Sequence, residues 1–471
     1  MPHERRLRTA ILALGLAVGL ALRLWGAVSD DGIYWPDEIY QSFEPAHRLL
    51  FGYGLVAWEF IDGARNWALP GLVAGLIKVA VAMGGDAPQV YVHFVKIAFG
   101  CLGALAGWGV YLLARSAGAS RLIASAAAAA YALSAPIIYF APRAMAENAG
   151  AVCAVFGLAL CLRRGASKRM LVAGACLVGA GVLFRLQTGV FPAVLVIALL
   201  ARKQWKSAAW VFGTLLVWAF AYGLLDKLTW GAWFHSAIKY VTFNLIEKGA
   251  SNWGESGWTY YFRYLWTAMP ALTVLTFAAS LLSVRRAPAL VALIAGFFAI
   301  HLAVGHKEWR FILPVLPLLF ASAAVGLSQV KATWWQAAAV AGFLIPAGVS
   351  AARLKSLTMG DLGAYLDRPT STAWDENGPI NRLLFAAHAI PDLCGVRVDV
   401  QHLAWVGGHS HLHRNVPLYM GNASPNAHTF SHLIVPKGTG LAAVAADGPL
   451  ELVRAPWQDC VPDTGYNNRL P

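Results

Sequence analysis

The feature that most limits what this chain can fold into is a series of apolar runs joined by short polar connections. A helix needs about 20 apolar residues to cross the ~30 Å hydrocarbon layer of a bilayer. Runs of this kind lie at residues 9–27, 92–114, 122–141, 148–162, 170–184, 188–201, 208–226, 263–283, 288–305, 310–329 and 333–352. The first is read as a retained span, because no small-residue cleavage site separates it from the polar stretch that follows. A net charge of +13 would suit nucleic acid. The cations, however, are scattered through the short connections, so the lipid bilayer is the expected partner and nucleic acid is not.

Cations fall in every second connection. Arg5, Arg6 and Arg8 precede the first run, and Arg115 and Arg121 follow the second. Arg163, Arg164, Lys168 and Arg169 follow the fourth, Arg202, Lys203 and Lys206 the sixth, Arg285 and Arg286 the eighth, and Lys331 the tenth. The positive-inside rule makes these connections cytoplasmic. The run Trp67–Met83 breaks the alternation if it crosses. It is therefore expected to be a re-entrant or interfacial helix within a long outer loop, residues 28–91. The unusual polar residues collect on the opposite side, in the stretches 34–60, 141–148 ("APRAMAEN"), 184–189 ("FRLQTG"), 243–261 and 306–311 ("HKEWRF"). One water-facing site built from these five loops accounts for all of them.

Residues 1–360 are thus expected to form an all-α polytopic membrane domain of about 11 spans. Residues 361–471 are expected to form a small mixed α/β domain on the outer side, with β-like runs at Val396–Val400, Leu433–Val435 and Leu450–Val453. Cys394 and Cys460 lie in that domain, where an oxidising compartment could pair them; the other four cysteines lie in apolar runs.

The first loop reads "YWPDEIYQSFEPAHRLLFGYGLVAWEF" from Tyr34. Pro36 suits a first helical turn, and Asp37 and Glu38 suit a helix N-terminus. Asp37, Gln41, Glu44 and Arg48 then recur at helical spacing as a polar stripe, opposite Ile39, Phe43, Ala46 and Leu50, with a kink expected at Pro45. An interfacial helix explains a stripe but would present Lys and Arg to lipid headgroups. Carboxylates better suit a sugar hydroxyl or acceptance of a proton. In "HKEWRF", Lys307 and Arg310 are three apart and share a face at the start of a span, where ionisable residues default to a functional reading. Arg143 and Arg185, each at the outer end of a span, are candidates for the same anion pocket, although a structural ion pair suits either arginine as well.

These residues carry a resemblance. "PDEIYQSFEPAHRLLFGYGLVAWEF", with Arg65 and Pro70 after it, resembles the first outer loop of glycosyltransferase family 22, the lipid-phosphate-mannose-dependent α-mannosyltransferases. Within that family it is most similar to the branch that adds the third mannose of GPI anchors. "HKEWRF" followed by Pro314 is similar to the family's His-Lys-Glu-x-Arg-Phe signature. Asn244, Gly254, Trp258 and Tyr261 resemble its aromatic loop, with Gly257 standing where the family has Pro.

The resemblance implies a GT-C fold and an inverting transfer of mannose from polyprenyl-phosphate-mannose to a glycan or glycolipid hydroxyl, with no cofactor and no metal. Asp37 matches the acidic position of the general base, with Glu38 beside it. Lys307, Arg310, His306, Arg185 and Arg143 are the candidates for holding the donor phosphate. Gln41, Glu44, Trp58, Glu59, Arg65, Trp258, Tyr261, Glu308 and His411 are the candidates for contacting substrate. "HSHLH" at 409–413 would alternate two rings on one face of a strand, but neither carboxylate nor Cys lies close by in sequence. Its expected role is therefore to touch acceptor or phosphate.

Two other readings stay open. One is an enzyme of the same fold using a polyprenyl-phosphate glucose or arabinose. The other is a flippase of lipid-linked sugars, which midplane charges and paired broken helices would favour. The Ala, Gly and Arg content and the lack of a Lys-rich retrieval signal favour a bacterial inner membrane with a periplasmic site over a lumenal site in the endoplasmic reticulum.

Overall fold

The protein is described from a computed structural model that covers residues 2–359, 372–421, 427–457, 459–461 and 463–470. The expected domain boundary at 360/361 lies outside the described residues. The chain opens with α1 (Pro2–Ser29) and an outer loop holding α2 (Glu44–Phe51), α3 (Trp58–Ile61) and α4 (Ala68–Ala82). Next come α5 (Pro88–Ser116), α6 (Arg121–Leu133), α7 (Ala135–Phe140), α8 (Ala146–Cys161), α9 (Lys168–Phe184), α10 (Val190–Ala201) and α11 (Trp205–Trp230). A second large loop carries the short α12 (His235–Val241), and α13 (Tyr260–Ala268), α14 (Pro270–Ser283), α15 (Pro288–Ala303), α16 (Leu316–Leu327) and α17 (Thr333–Ala352) complete the bundle. A helix stands at each of the eleven expected spans. Five helical stretches have the length and apolarity to cross a bilayer unaided, and the other apolar helices are shorter.

Burial follows sequence chemistry. Every residue of α16 is buried, which suits a helix apolar on all sides at the centre of a bundle. On α11, by contrast, Phe212, Leu216, Val217 and Phe220 are exposed, as a lipid-facing helix requires. Small residues set the close packing of α8 on α9, since a Cβ on Gly157 would fall 2.6 Å from the Gly174 carbonyl. Between α6 and α7 the chain breaks at Ser134, ahead of Pro136. Arg23 of α1, fully buried, donates to the Ala132 carbonyl at 2.7 Å and so satisfies backbone freed by that break.

The tail holds α18 (Gly378–His388), α19 (Gly408–Leu412) and a five-stranded sheet of β1 (Val396–Val398), β2 (Leu418–Met420), β3 (His432–Pro436), β4 (Ala443–Asp447) and β5 (Leu450–Arg454). The strand order is β2-β1-β3-β5-β4. β1 runs parallel to β2 and β3, while β5 is antiparallel to β3 and β4. The three expected β runs are β1, β3 and β5. Cys394 and Cys460 form a disulfide, as expected, with Cα atoms 6.3 Å apart.

The tail is fastened to the first outer loop. Val56 N–H donates to Asn468 O at 2.8 Å, Leu470 N–H to Val56 O at 2.9 Å, and Asn468 Nδ2 to Gly54 O at 3.0 Å. Arg382 of α18 pairs bidentately with Asp375 and Asp447 and approaches Asp31 of the loop at 3.5 Å. Backbone segments that hydrogen-bond must lie on one side of a membrane, so the chain must cross an even number of times between them. The ten expected spans after α1 satisfy this only if α4 does not cross, which supports the re-entrant or interfacial reading of that helix.

Candidate active site

The two sequence motifs meet. Arg310, in the helical turn leading into α16, is 2% exposed and reaches three carboxylates: Nε donates to Glu308 at 2.5 Å, Nη1 to Glu147 at 3.0 Å, and Nη2 to Asp37. Asp37 stands at the start of a π-helical turn, Ile39–Phe43, that precedes α2. Its side chain is 24% exposed, whereas those of Glu147, Glu308 and Glu38 are below 10%. Among these acids Asp37 is the most exposed.

Glu38 points the other way. Its oxygens receive Arg143 Nη1 at 2.8 and 2.7 Å, and Tyr34 N–H at 2.5 Å. Arg143 also donates to Asp30 at 3.0 Å and lies over the Tyr139 ring at 4.1 Å. Burial would lower the Arg143 guanidinium, but Glu38 and Asp30 outweigh it and raise its pKa. Glu38 and Arg143 therefore form the structural ion pair that was the alternative for this arginine, while Arg143 Nε stays without a partner.

Lys307 is likewise committed. Its three N–H groups face the Ser256, Val304 and Gly305 carbonyls at 2.8, 2.5 and 3.3 Å, and none remains for an anion. Arg310 has three of its five N–H groups on carboxylates. In this arrangement Arg310 orients acids and Lys307 braces the loop, so of the expected phosphate-binding pair Lys307 has no donor to offer. His306 faces two acceptors, Gly254 O from Nδ1 (3.1 Å) and Glu308 from Nε2 (2.8 Å). Burial alone would raise Glu308, yet Arg310 and His306 hold it down at about 2.

The expected polar stripe reaches water only at its ends, Asp37 and Arg48. The π-turn rotates the helix, Pro45 begins α2 rather than kinking it, and Gln41, Glu44 and His47 are buried, the last two against the tail. Glu44 accepts Leu55 N–H at 2.9 Å, His409 N–H at 2.8 Å and Ser410 N–H at 2.8 Å. It is a clasp between loop and tail and not a substrate contact. Gly408 permits that approach, with φ of +60° and a Cβ position 2.8 Å from the Glu44 carboxylate. "HSHLH" is helical, not a strand, as α19 with His413 capping it. His411 is 4% exposed and stacked on Phe385 at 5.0 Å. Burial holds it neutral with a pKa near 4, so the expected contact with acceptor or phosphate is replaced by packing.

Gln41 Nε2 donates to Glu59 at 2.7 Å. Burial, and then the charge of Asp37, push Glu59 up to about 7. Trp58 joins an aromatic group with Phe243 and Trp253, at centroid distances of 4.4 and 5.6 Å. Trp258, 71% exposed, stays outside this group. Arg185 and Tyr261 are brought in: Arg185 Nη2 lies 3.1 Å from Glu147, and Tyr261 is 1% exposed. Arg65 lies over the Tyr240 ring at 5.1 Å, and Tyr240 OH receives Gln187 Nε2.

Glu147, Gln187, Tyr240 and His301 are site members that the sequence reading passed over. Glu147 follows Arg143 in the same stretch at the first turn of α8, where an acid is favoured. Gln187 is two residues past Arg185. His301 is an ionisable residue within an apolar span, itself a signal.

Comparison with known proteins gives the family and the fold. Residues 15–366 match the Alg9-like mannosyltransferase family. The GPI mannosyltransferase 3 of Yarrowia lipolytica is 32% identical over 329 residues, covering 67% of this chain and 62% of that protein. The GPI alpha-1,2-mannosyltransferase 3 of Xenopus laevis is 27% identical over 348 residues, covering 70% and 62%. The chain thus spans about three fifths of the length of these relatives. Among solved structures, ArnT from Cupriavidus metallidurans bound to undecaprenyl phosphate superposes with a TM-score of 0.62 at 15% identity, covering 97% of this chain and 100% of that one. AglB from Archaeoglobus fulgidus, in complex with an inhibitory peptide and a dolichol-phosphate, gives 0.58 at 13% identity, covering 91% and 69%. These likenesses concern the fold, which is GT-C.

Proposed function

The chain belongs to the Alg9-like mannosyltransferase family, and from that premise we propose that it moves mannose from a polyprenyl-phosphate-mannose donor to a hydroxyl of a glycan or glycolipid acceptor. The observation that carries this reading is the partly exposed Asp37 carboxylate, held by Arg310 where the two family-like motifs converge. Asp37 takes the acceptor hydroxyl's proton as that oxygen bonds to the anomeric carbon. The bond from carbon to phosphate oxygen breaks on the opposite face, so configuration inverts. The leaving phosphate gains charge, and a neighbouring guanidinium stabilises it. Glu308, Glu147 and Arg310 fix the base without touching substrate.

The site faces the extracytoplasmic side in this proposal, because the basic connections lie at the other ends of the helices. The tail, on the same side, is proposed to be a separate domain that helps shape the acceptor's approach. The test is incubation of purified protein with polyprenyl-phosphate mannose, glucose and arabinose and a glycolipid acceptor, with the anomeric configuration of the product read by NMR. Mannose transfer with inversion is expected. Transfer of glucose or arabinose alone would move the reading to another donor, and retention of configuration would refute the single-base mechanism.

A further inference from the structure

A buried polar atom without a partner is rare in a folded protein and calls for an explanation. Six such atoms belong to side chains around Arg185: its own Nη1 and Nη2, Arg65 Nε, Tyr261 OH, Gln187 Oε1 and His301 Nε2. The Arg185 Nη2 approach to Glu147 is close enough for an ion pair but is not aligned as a hydrogen bond. Contacts tie these groups together. Tyr240 lies beneath Arg65 and receives Gln187, two residues from Arg185. Arg65 and Tyr261 both lie within electrostatic range of Arg185. The Tyr261 and His301 rings are 6.5 Å apart.

The chemistry of the orphans divides in two. Arg185, Arg65 and Tyr261 offer N–H and O–H donors. Gln187 Oε1 is an acceptor, and so is His301 Nε2, because Nδ1 faces the Phe297 carbonyl at 2.8 Å and must carry the ring proton. Charge is also left over. A single oxygen of Glu147 answers both Arg185 (3.1 Å) and Arg310 (3.0 Å), and Arg65 stands near without a carboxylate hydrogen-bonded to its Nε. A second anion beside Arg185 would complete the set. Of the two cations the sequence suggested for that anion, Lys307 has no donor left, and Arg310 spends three of its five N–H groups on Glu308, Glu147 and Asp37.

We infer that Arg185, Arg65 and Tyr261 seat the phosphate of a polyprenyl-phosphate sugar, while Gln187 Oε1 and His301 Nε2 receive hydroxyls of its sugar. The assignment rests on the donor class proposed above. It places the phosphate beside Glu147, which shares Arg310 with Asp37, so base and leaving group are held by one chain of charges. Arg185 keeps its ion pair to Glu147 while its free edge meets phosphate.

The test uses the full chain in detergent, with sugar-free polyprenyl phosphate as probe for binding and polyprenyl-phosphate-mannose for KM. A hydrogen bond to a charged group is worth about 1.5–3 kcal/mol, so Tyr261→Phe and Arg65→Gln should each weaken probe binding roughly 10- to 150-fold. His301→Phe should raise KM for the mannosyl donor and leave probe binding unchanged, because the probe carries no sugar. Probe affinity within twofold of wild type in both Tyr261→Phe and Arg65→Gln would overturn the inference. Wild-type protein that binds the probe through these residues but transfers no mannose would keep the subsite and end the donor-sugar reading. Mannose transfer with unchanged KM in all three variants would keep that reading and end the subsite.

Discussion

Asp37 and Glu38 are neighbours in sequence with opposite duties, and neutralising each should fail in a different way. In Glu38→Gln the carboxylate that receives Arg143 at 2.8 and 2.7 Å loses its charge while the site stays closed. Arg143, 3% exposed, keeps only Asp30 at 3.0 Å and the Gly32 carbonyl at 2.9 Å. Breaking a buried pair costs about 3–5 kcal/mol, and retention of Asp30 brings the expected loss to about 2–4 kcal/mol. In Asp37→Asn, Arg310 keeps Glu308 and Glu147, and the lost partner was 24% exposed, so about 1 kcal/mol or less is expected.

Turnover should show the reverse. Loss of a general base lowers rate roughly 10²- to 10⁴-fold, and Asp37→Asn should show that with donor KM little changed. Glu38→Gln should turn over within about tenfold of wild type while still folded. Both quantities come from one preparation per variant: denaturant unfolding by intrinsic fluorescence, and single-turnover transfer from polyprenyl-phosphate-mannose. Full activity of folded Asp37→Asn beside inactive, fully stable Glu38→Gln would assign the base to Glu38. It would also refute the argument that exposure selects between the two acids.

Other outcomes follow from the same contacts. Glu59, raised from 4.5 to about 7, favours the protonated folded state, so its contribution is complete below about pH 4.5 and is lost as pH rises through about 7. Glu59→Gln should remove that part of the fall in unfolding free energy between pH 4.5 and 8, and an unchanged slope would contradict it. Reducing Cys394–Cys460, which closes a loop of 66 residues, should destabilise the tail by about 2–4 kcal/mol, seen as faster proteolysis there and not in the bundle. Removing residues 467 onward deletes three hydrogen bonds to Gly54 and Val56. Amide exchange should then quicken at 54–63 and turnover should fall tenfold or more, whereas unchanged exchange would show that the strand does not order the loop. Cysteine labels at Gly118 or Gln204 should resist a membrane-impermeant reagent while one at Ser251 reacts, and uniform labelling would end the proposed sidedness.

Spans and strands were legible because each carries its signal locally. A run near 20 residues or an alternation of period two needs no knowledge of partners. The meeting of Asp37 with Arg310 was legible only as a resemblance of two motifs, since 273 residues separate them. The errors share one cause. Periodicity reported that Gln41 and Glu44 lie on one helical face, but Glu59 of the same loop meets the first and the tail covers the second. Lys307 and Arg143 do lie at the ends of apolar helices, but charge alone does not reveal whether carbonyls and acids already meet it. His411 looked like a ligand in an alternating strand, and a short helix packed it against Phe385 instead.

The hydrogen bond from Asn468 to Gly54 joins positions 414 residues apart, and it lies a few residues before Trp58 and Glu59. A ribosome adding about 5–20 residues per second needs roughly 20–80 s to synthesise that interval. Throughout that time the early helices can already be inserted and the first loop formed, yet the segment that fastens the loop does not exist. The loop's final order therefore arrives late in biogenesis, after the bundle has been threaded and the tail has reached the loop. A prematurely terminated chain would carry the early helices without that fastening.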